Sequence, residues 1–162
     1  MKQLPEKFAL DKAVNGQRRY QGTIEIQHMK RLTEMLADTS GEVDFSIQFE
    51  RAARLLGKAR VKVKTELALM CTISNKKFMF PVEIDSMIGF IDDLTYEDLL
   101  DVDMEASWVE EGMINPLEII EDELILAVPD APFNESHEDD EFDEAILTEE
   151  KPNPFSVLKN LK

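Results

Sequence analysis

Cysteine is almost missing from this chain. Cys71 stands alone among 162 residues, so no internal disulfide can form and nothing in the cysteine usage points to secretion. Glycine is sparse as well, six residues and none clustered, which excludes a local phosphate-cradling loop. The two histidines, His28 and His137, lie far apart, so no His-based motif sits in one stretch. No apolar run approaches the roughly 18 residues of a membrane-spanning helix. The opening stretch "MKQLPEKFALDKAVNGQRRY" has neither signal-peptide nor transit-peptide character. The expected setting is the cytoplasm, with no membrane association.

Cations are missing from one half. Residues 1–81 hold 15 Lys/Arg and 9 Asp/Glu, a balance of +6, whereas residues 82–162 hold 3 and 25, a balance of −22. Such asymmetry is a composition-level hint of a nucleic-acid or basic-protein partner, against the plainer reading that acidity keeps the chain soluble.

What is present is patterned. Tyr20 to Ile26 reads as a short strand, and Gln27 to Ala37 as a helix with Met29, Leu32 and Leu36 on one side, ended by "DTSG". Val43, Phe45, Ile47 and Phe49 alternate with polar residues, as do Val61 to Cys71 and Phe78 to Ile84. Period-two alternation marks strands with one buried face, and the short intervening "RLLGKA" and "ISNKK" join them into an antiparallel meander. From Gly89 to Met113 the chain is acidic with scattered apolar residues, readable as a long connection or as one holding a short helix over 96–100. "INPLEIIEDELILAVP" carries Asn115 as N-cap, Pro116 in the first turn, acids near the positive end and Pro129 as stop, which predicts a helix over 116–127.

The last segments differ in kind. Residues 135–150, "ESHEDDEFDEAILTEE", are too charged to bury much and are expected to be a disordered linker. In residues 151–162, "KPNPFSVLKNLK", Phe155, Leu158 and Leu161 recur every third position behind the cap signal Asn153-Pro154. This predicts a short C-terminal helix, cationic at its end, that docks on a partner; docking on the chain's own sheet is the alternative. The expected fold is therefore α+β, an antiparallel meander packed with two or three helices in a single domain over 1–134.

The chemistry-bearing groups point to binding. Lys58, Arg60, Lys62 and Lys64 occupy alternate positions of the second strand, opposite Val61, Val63 and Thr65, and Arg51 and Arg54 lead into the same hairpin. Same-face neighbours about 6.6 Å apart would form a line of roughly 20 Å suited to phosphates. An ordinary solvated sheet face is the plainer reading. Glu118 and Asp122, one turn apart, would chelate a divalent cation or simply complement the helix N-terminus. Cys71-Thr72-Ile73-Ser74 has one thiolate where a zinc half-site needs two, so no metal or cofactor is expected and Cys71 reads as a buried, inert thiol. No acid, base and nucleophile pair locally, so no enzyme is expected.

Three of these stretches together resemble one family. "EDELILAVPDAP" is similar to the D-E-L-I-L-A-L-P-x-x-P stretch of the YceD family of bacteria and plastids. "KPNPFSVLKNLK" is similar to that family's C-terminal P-N-P-F-x-V-L-x-x-L-K, and Cys71 and Ser74 fall where many members carry C-x-x-C. The resemblance implies a non-enzymatic role in synthesis, processing or stability of large-subunit (23S) ribosomal RNA, with that RNA or a pre-ribosomal particle as partner. It also fits a ribosome-assembly setting, because members are often encoded beside a large-subunit ribosomal protein. The chain departs from the pattern at Ser74, and at Asn134, His137 and Asp139, where many members place cysteine and histidine. The rival expectation is an acidic adaptor or chaperone for a basic ribosomal protein or assembly factor, with no direct RNA contact.

Overall fold

The computed structural model describes residues 4–134. The expected acidic linker over 135–150, His137, and the expected helix with Phe155, Leu158 and Leu161 lie outside the described residues.

In chain order the elements are β1 (Phe8–Ala9), α1 (Leu10–Asn15), β2 (Arg19–Glu25), a 3-10 turn (Ile26–His28), α2 (Lys30–Thr33), β3 (Glu42–Glu50), β4 (Gly57–Met70) and β5 (Lys77–Ile91). A 3-10 helix (Leu94–Leu99), β6 (Met104–Trp108), β7 (Met113–Ile114) and α3 (Pro116–Ala127) complete it. β2 to β6 form one five-stranded sheet in sequence order, and β1 pairs with β7. This is an α+β fold. The pairs from β2 to β5 are antiparallel, as the alternation implied, whereas β6 runs parallel to β5.

One sheet face is apolar because the strands alternate. Phe45, Ile47 and Phe49 of β3 stand beside Val63, Val61 and Ala59 of β4, and the same rows continue into β5 as Ile84, Ser86 and Ile88. α1 covers this face with Leu10, Ala13 and Val14, spaced to share one side of a helix. Its approach to β4 is close: a Cβ on Gly57 would lie 2.3 Å from Val14 Cγ2. Phe49 stacks on Phe90 at 5.9 Å between ring centroids and meets the edges of Phe8 and Tyr20.

α3 spans the residues expected. The Asn115 side chain accepts from the Leu117 N–H at 3.0 Å, and Ile119, Ile120 and Leu124 are buried. The helix expected over 27–37 is much shorter. Met29, with φ −99° and ψ 84°, interrupts it, and beyond Leu36 the backbone is captured by β4: Ala37 N–H donates to Ala68 O at 2.8 Å. Residues 89–113 are likewise more ordered than a long connection. β5 continues to Ile91, the 3-10 helix includes most of the short helix considered at 96–100, and Leu100 folds over Gly89, where a Cβ would meet it at 2.2 Å.

Candidate functional site

The four alternating cations do share one exposed face, opposite the core, because strand register leaves no other arrangement. That register also brings acids beside them. Lys58 stands opposite Glu50, Lys62 opposite Asp85, and Lys64 between Asp44 and Glu83. Arg60 makes a two-pronged contact with Asp85, Nε to Oδ1 at 2.7 Å and Nη2 to Oδ2 at 2.8 Å, while Lys62 Nζ reaches Asp85 at 3.1 Å. These contacts, Arg60 first, hold the Asp85 carboxyl well below the usual carboxylate range. Lys58 pairs with Glu50 at 3.5 Å. Lys64 makes no ion pair among the described residues.

Arg19 belongs to the same face and escaped the sequence reading. Its row runs Arg19, Gln48, Arg60 and Met87 across four strands, and its Nε donates to Ser46 Oγ at 3.3 Å. Its inward neighbour Tyr20 was the available signal. Of the two loop arginines, Arg51 is engaged away from the line. Arg51 is drawn to the core side, donating to the Asn15 carbonyl at the end of α1 (3.3 Å), and Arg54 occupies the left-handed region at φ 71°. The face thus presents Arg19, Lys58, Arg60, Lys62 and Lys64 interleaved with Asp44, Glu50, Glu83 and Asp85, a near-neutral array. Exposed ion pairs are screened by water and contribute little, so a phosphate can exchange with a carboxylate there at small cost.

At the other end of β4, Cys71 is buried, and the turn it opens changes its chemistry. The Ser74 N–H reaches Sγ at 3.5 Å, and Asn75 takes a left-handed φ of 52° to close the turn. Hydrogen bonding from Ser74, side chain first and then backbone, together with the Asn134 and Ile73 backbone, lowers the thiol to about 6. The sulfur is buried, as expected, and these donors favour its thiolate form.

Two acids of α3 have specific uses. Glu121, read as a complement to its own helix end, instead caps α2. Its Oε1 accepts from the backbone N–H groups of Arg31 (2.7 Å) and Leu32 (3.2 Å), and its Oε2 from Arg31 Nε (3.1 Å) and Nη2 (2.9 Å). Asp122 takes Arg31 Nη1 at 2.7 Å, so this half of the Glu118/Asp122 pair is already engaged. Glu123 is 6% exposed and accepts from Ser86 Oγ at 2.6 Å. Burial pushes its carboxyl up, the Ser86 bond opposes this, and the neighbouring Glu105 adds to it. Glu105 and Glu123 face a groove of 1180 Å³ between α3 and the β6 edge. Among the described residues no three His, Cys, Asp or Glu side chains converge as a metal site, and no helix is long and apolar enough to cross a membrane.

Over 167 aligned positions the chain is 28% identical to the large ribosomal RNA subunit accumulation protein YceD of Haemophilus influenzae. The alignment covers 96% of this chain and 95% of that protein. No family model matches the chain, and no solved structure matches it.

Proposed function

We propose that this protein belongs to the YceD family and acts in the cytoplasm as a non-enzymatic ribosome-biogenesis factor that sustains large-subunit ribosomal RNA. The single observation that carries this reading is the end-to-end similarity to a protein named for that RNA. A shared short motif would license much less, because the same short pattern can serve different roles. The charged outer face is the candidate RNA contact. Phosphates would replace Asp85 and Glu50 on Arg60, Lys62 and Lys58 and would meet Lys64 directly.

The test is deletion of the gene in its source, followed by the ratio of large- to small-subunit ribosomal RNA. A fall in that ratio, restored by the intact gene, is the expected outcome; an unchanged ratio defeats the proposal. Direct contact is tested separately by replacing Lys58, Arg60, Lys62 and Lys64 with Gln. Four phosphate contacts on a single strand give a log–log salt slope of about −2.8, which this variant should flatten.

A second reading, an adaptor that meets a basic protein and never touches RNA, is favoured by the carboxylates built into that face. Unchanged RNA affinity and slope in the quadruple variant would select it.

A further inference from the structure

The sheet is wider than its helical cover. α1 lies over β3 and β4, and α3 over β4 and β5, so among the described residues no helix lies over the core-side strip of β6 to the same extent. By register Glu105 and Ser107 of β6 share the face of Ile88 and Phe90, so this strip continues the core face and is not an outer surface. Ile88 and Ile119 line the resulting groove, and Trp108 and Leu126, 52% and 72% exposed, stand at it as apolar side chains in water. At 1180 Å³ the groove exceeds the roughly 300–1,000 Å³ typical of small-molecule pockets and suits a peptide segment.

Its charge is one-sided. Glu105, Glu110, Glu111, Glu118, Asp122 and Glu123 line it. The only lining cations among the described residues are Lys7 and Arg31, and Arg31 is committed to Glu121 and Asp122. The sequence reinforces this: from Val82 to Glu150 there is no lysine or arginine at all. Phosphate is repelled from such a groove. An incoming ammonium or guanidinium would relieve the mutual repulsion of Glu105 and Glu123 while leaving its apolar neighbours against Trp108 and Leu126.

We propose that the groove between α3 and β6 is a docking site for a cationic segment of another protein, one that combines lysines or arginines with large apolar anchors. The proposal rests on the reading that this protein works among basic assembly partners, and it assigns the acidic half a specific seat for one.

Trp108 is the chain's only tryptophan and stands at the β6 rim of the groove, so its fluorescence is a single-site report on that rim. The probe is a 14-residue lysine–leucine amphipathic peptide, with its Lys→Glu counterpart as control, added to the full-length protein. Expected are a saturable blue shift of Trp108 with the cationic peptide only, and about tenfold weaker binding when Glu105→Gln and Glu118→Gln are combined. Both residues are exposed, so unchanged far-ultraviolet circular dichroism will show that the variant is folded. An unresponsive Trp108, or equal binding by the variant, overturns the proposal.

In cells, a photo-crosslinker placed at Leu126 should map to a lysine- or arginine-rich segment of another protein. Crosslinks to RNA, to a second copy, or to this chain's own 151–162 overturn it. The gene-deleted strain keeps the two readings apart. If the intact gene does not alter ribosomal RNA, the biogenesis reading fails whatever the peptide does. If the intact gene restores the RNA and the groove variant restores it equally, the groove proposal fails alone.

Discussion

Replacing Glu121 by alanine should be far more damaging than an exposed-looking acid in an acidic helix suggests. Its two oxygens take four hydrogen bonds, two from backbone N–H groups at the start of α2 and two from the Arg31 guanidinium. Leu32, whose N–H is one of the four donors, is fully buried, so water cannot replace the lost acceptor there. Loss of the backbone cap costs about 0.5–2 kcal/mol. Loss of the part-buried charge-assisted bonds adds about 1.5–3 kcal/mol, so the total should come to about 2–5 kcal/mol. At about 3 °C per kcal/mol for a chain of this size, Tm should fall by about 6–15 °C. Arg31→Ala should cost less, because its side chain is half exposed while Glu121 keeps both backbone donors. Glu121→Gln should lie between, since Oε1 still accepts from the backbone but the new amide N–H groups face guanidinium donors. Thermal unfolding of the three variants followed by circular dichroism gives the ranking. A Glu121→Ala loss below about 1 kcal/mol, or one no larger than that of Arg31→Ala, would refute the assignment of Glu121 as the cap of α2.

Gly57→Ala should lower the urea midpoint by an amount equivalent to about 1–3 kcal/mol, since its Cβ would stand 2.3 Å from Val14 Cγ2, and adding Val14→Ala should recover part of the loss. For Cys71, ultraviolet titration of the thiolate should give a midpoint near 6, and Ser74→Ala should raise it. The sign follows from linkage. A thiol lowered in the folded state contributes stability that is complete above its ordinary value of 9.0 and is lost as pH falls through about 6, a dependence absent in Cys71→Ser.

Legibility followed burial. β3, β4 and the first part of β5 were readable because each hides one face and shows the other, which imprints period two on the residues. α3 was readable from Asn115 and Pro116, local signals that need no tertiary partner. α1, β6 and the β1–β7 pair were not, since they are short and their shape depends on remote partners such as Gly57, Ile88 and each other. The basic line was legible as a line, because spacing within one strand decides it. Its near-neutrality was not, because Glu50, Asp85 and Glu83 arrive from adjacent strands through a register that no single strand encodes. Glu121 misled for the same reason: its partners lie some ninety positions earlier.

The parallel pairing of β6 has a kinetic consequence. β3 to β5 are joined by short turns, so their contacts close early, at low entropic cost, whereas β2 and β6 join across longer connections. β6 can join only after residues 92–103 have crossed back, and β1 must find β7 near the opposite end of the described chain. These closures come late and should be the first to open. Amide exchange should then be fastest along β6 and β7 and slowest in the β3–β4–β5 centre. The strip that carries the acidic groove is thus built on an edge strand of the sheet, where local opening should not require unfolding of the meander beneath it.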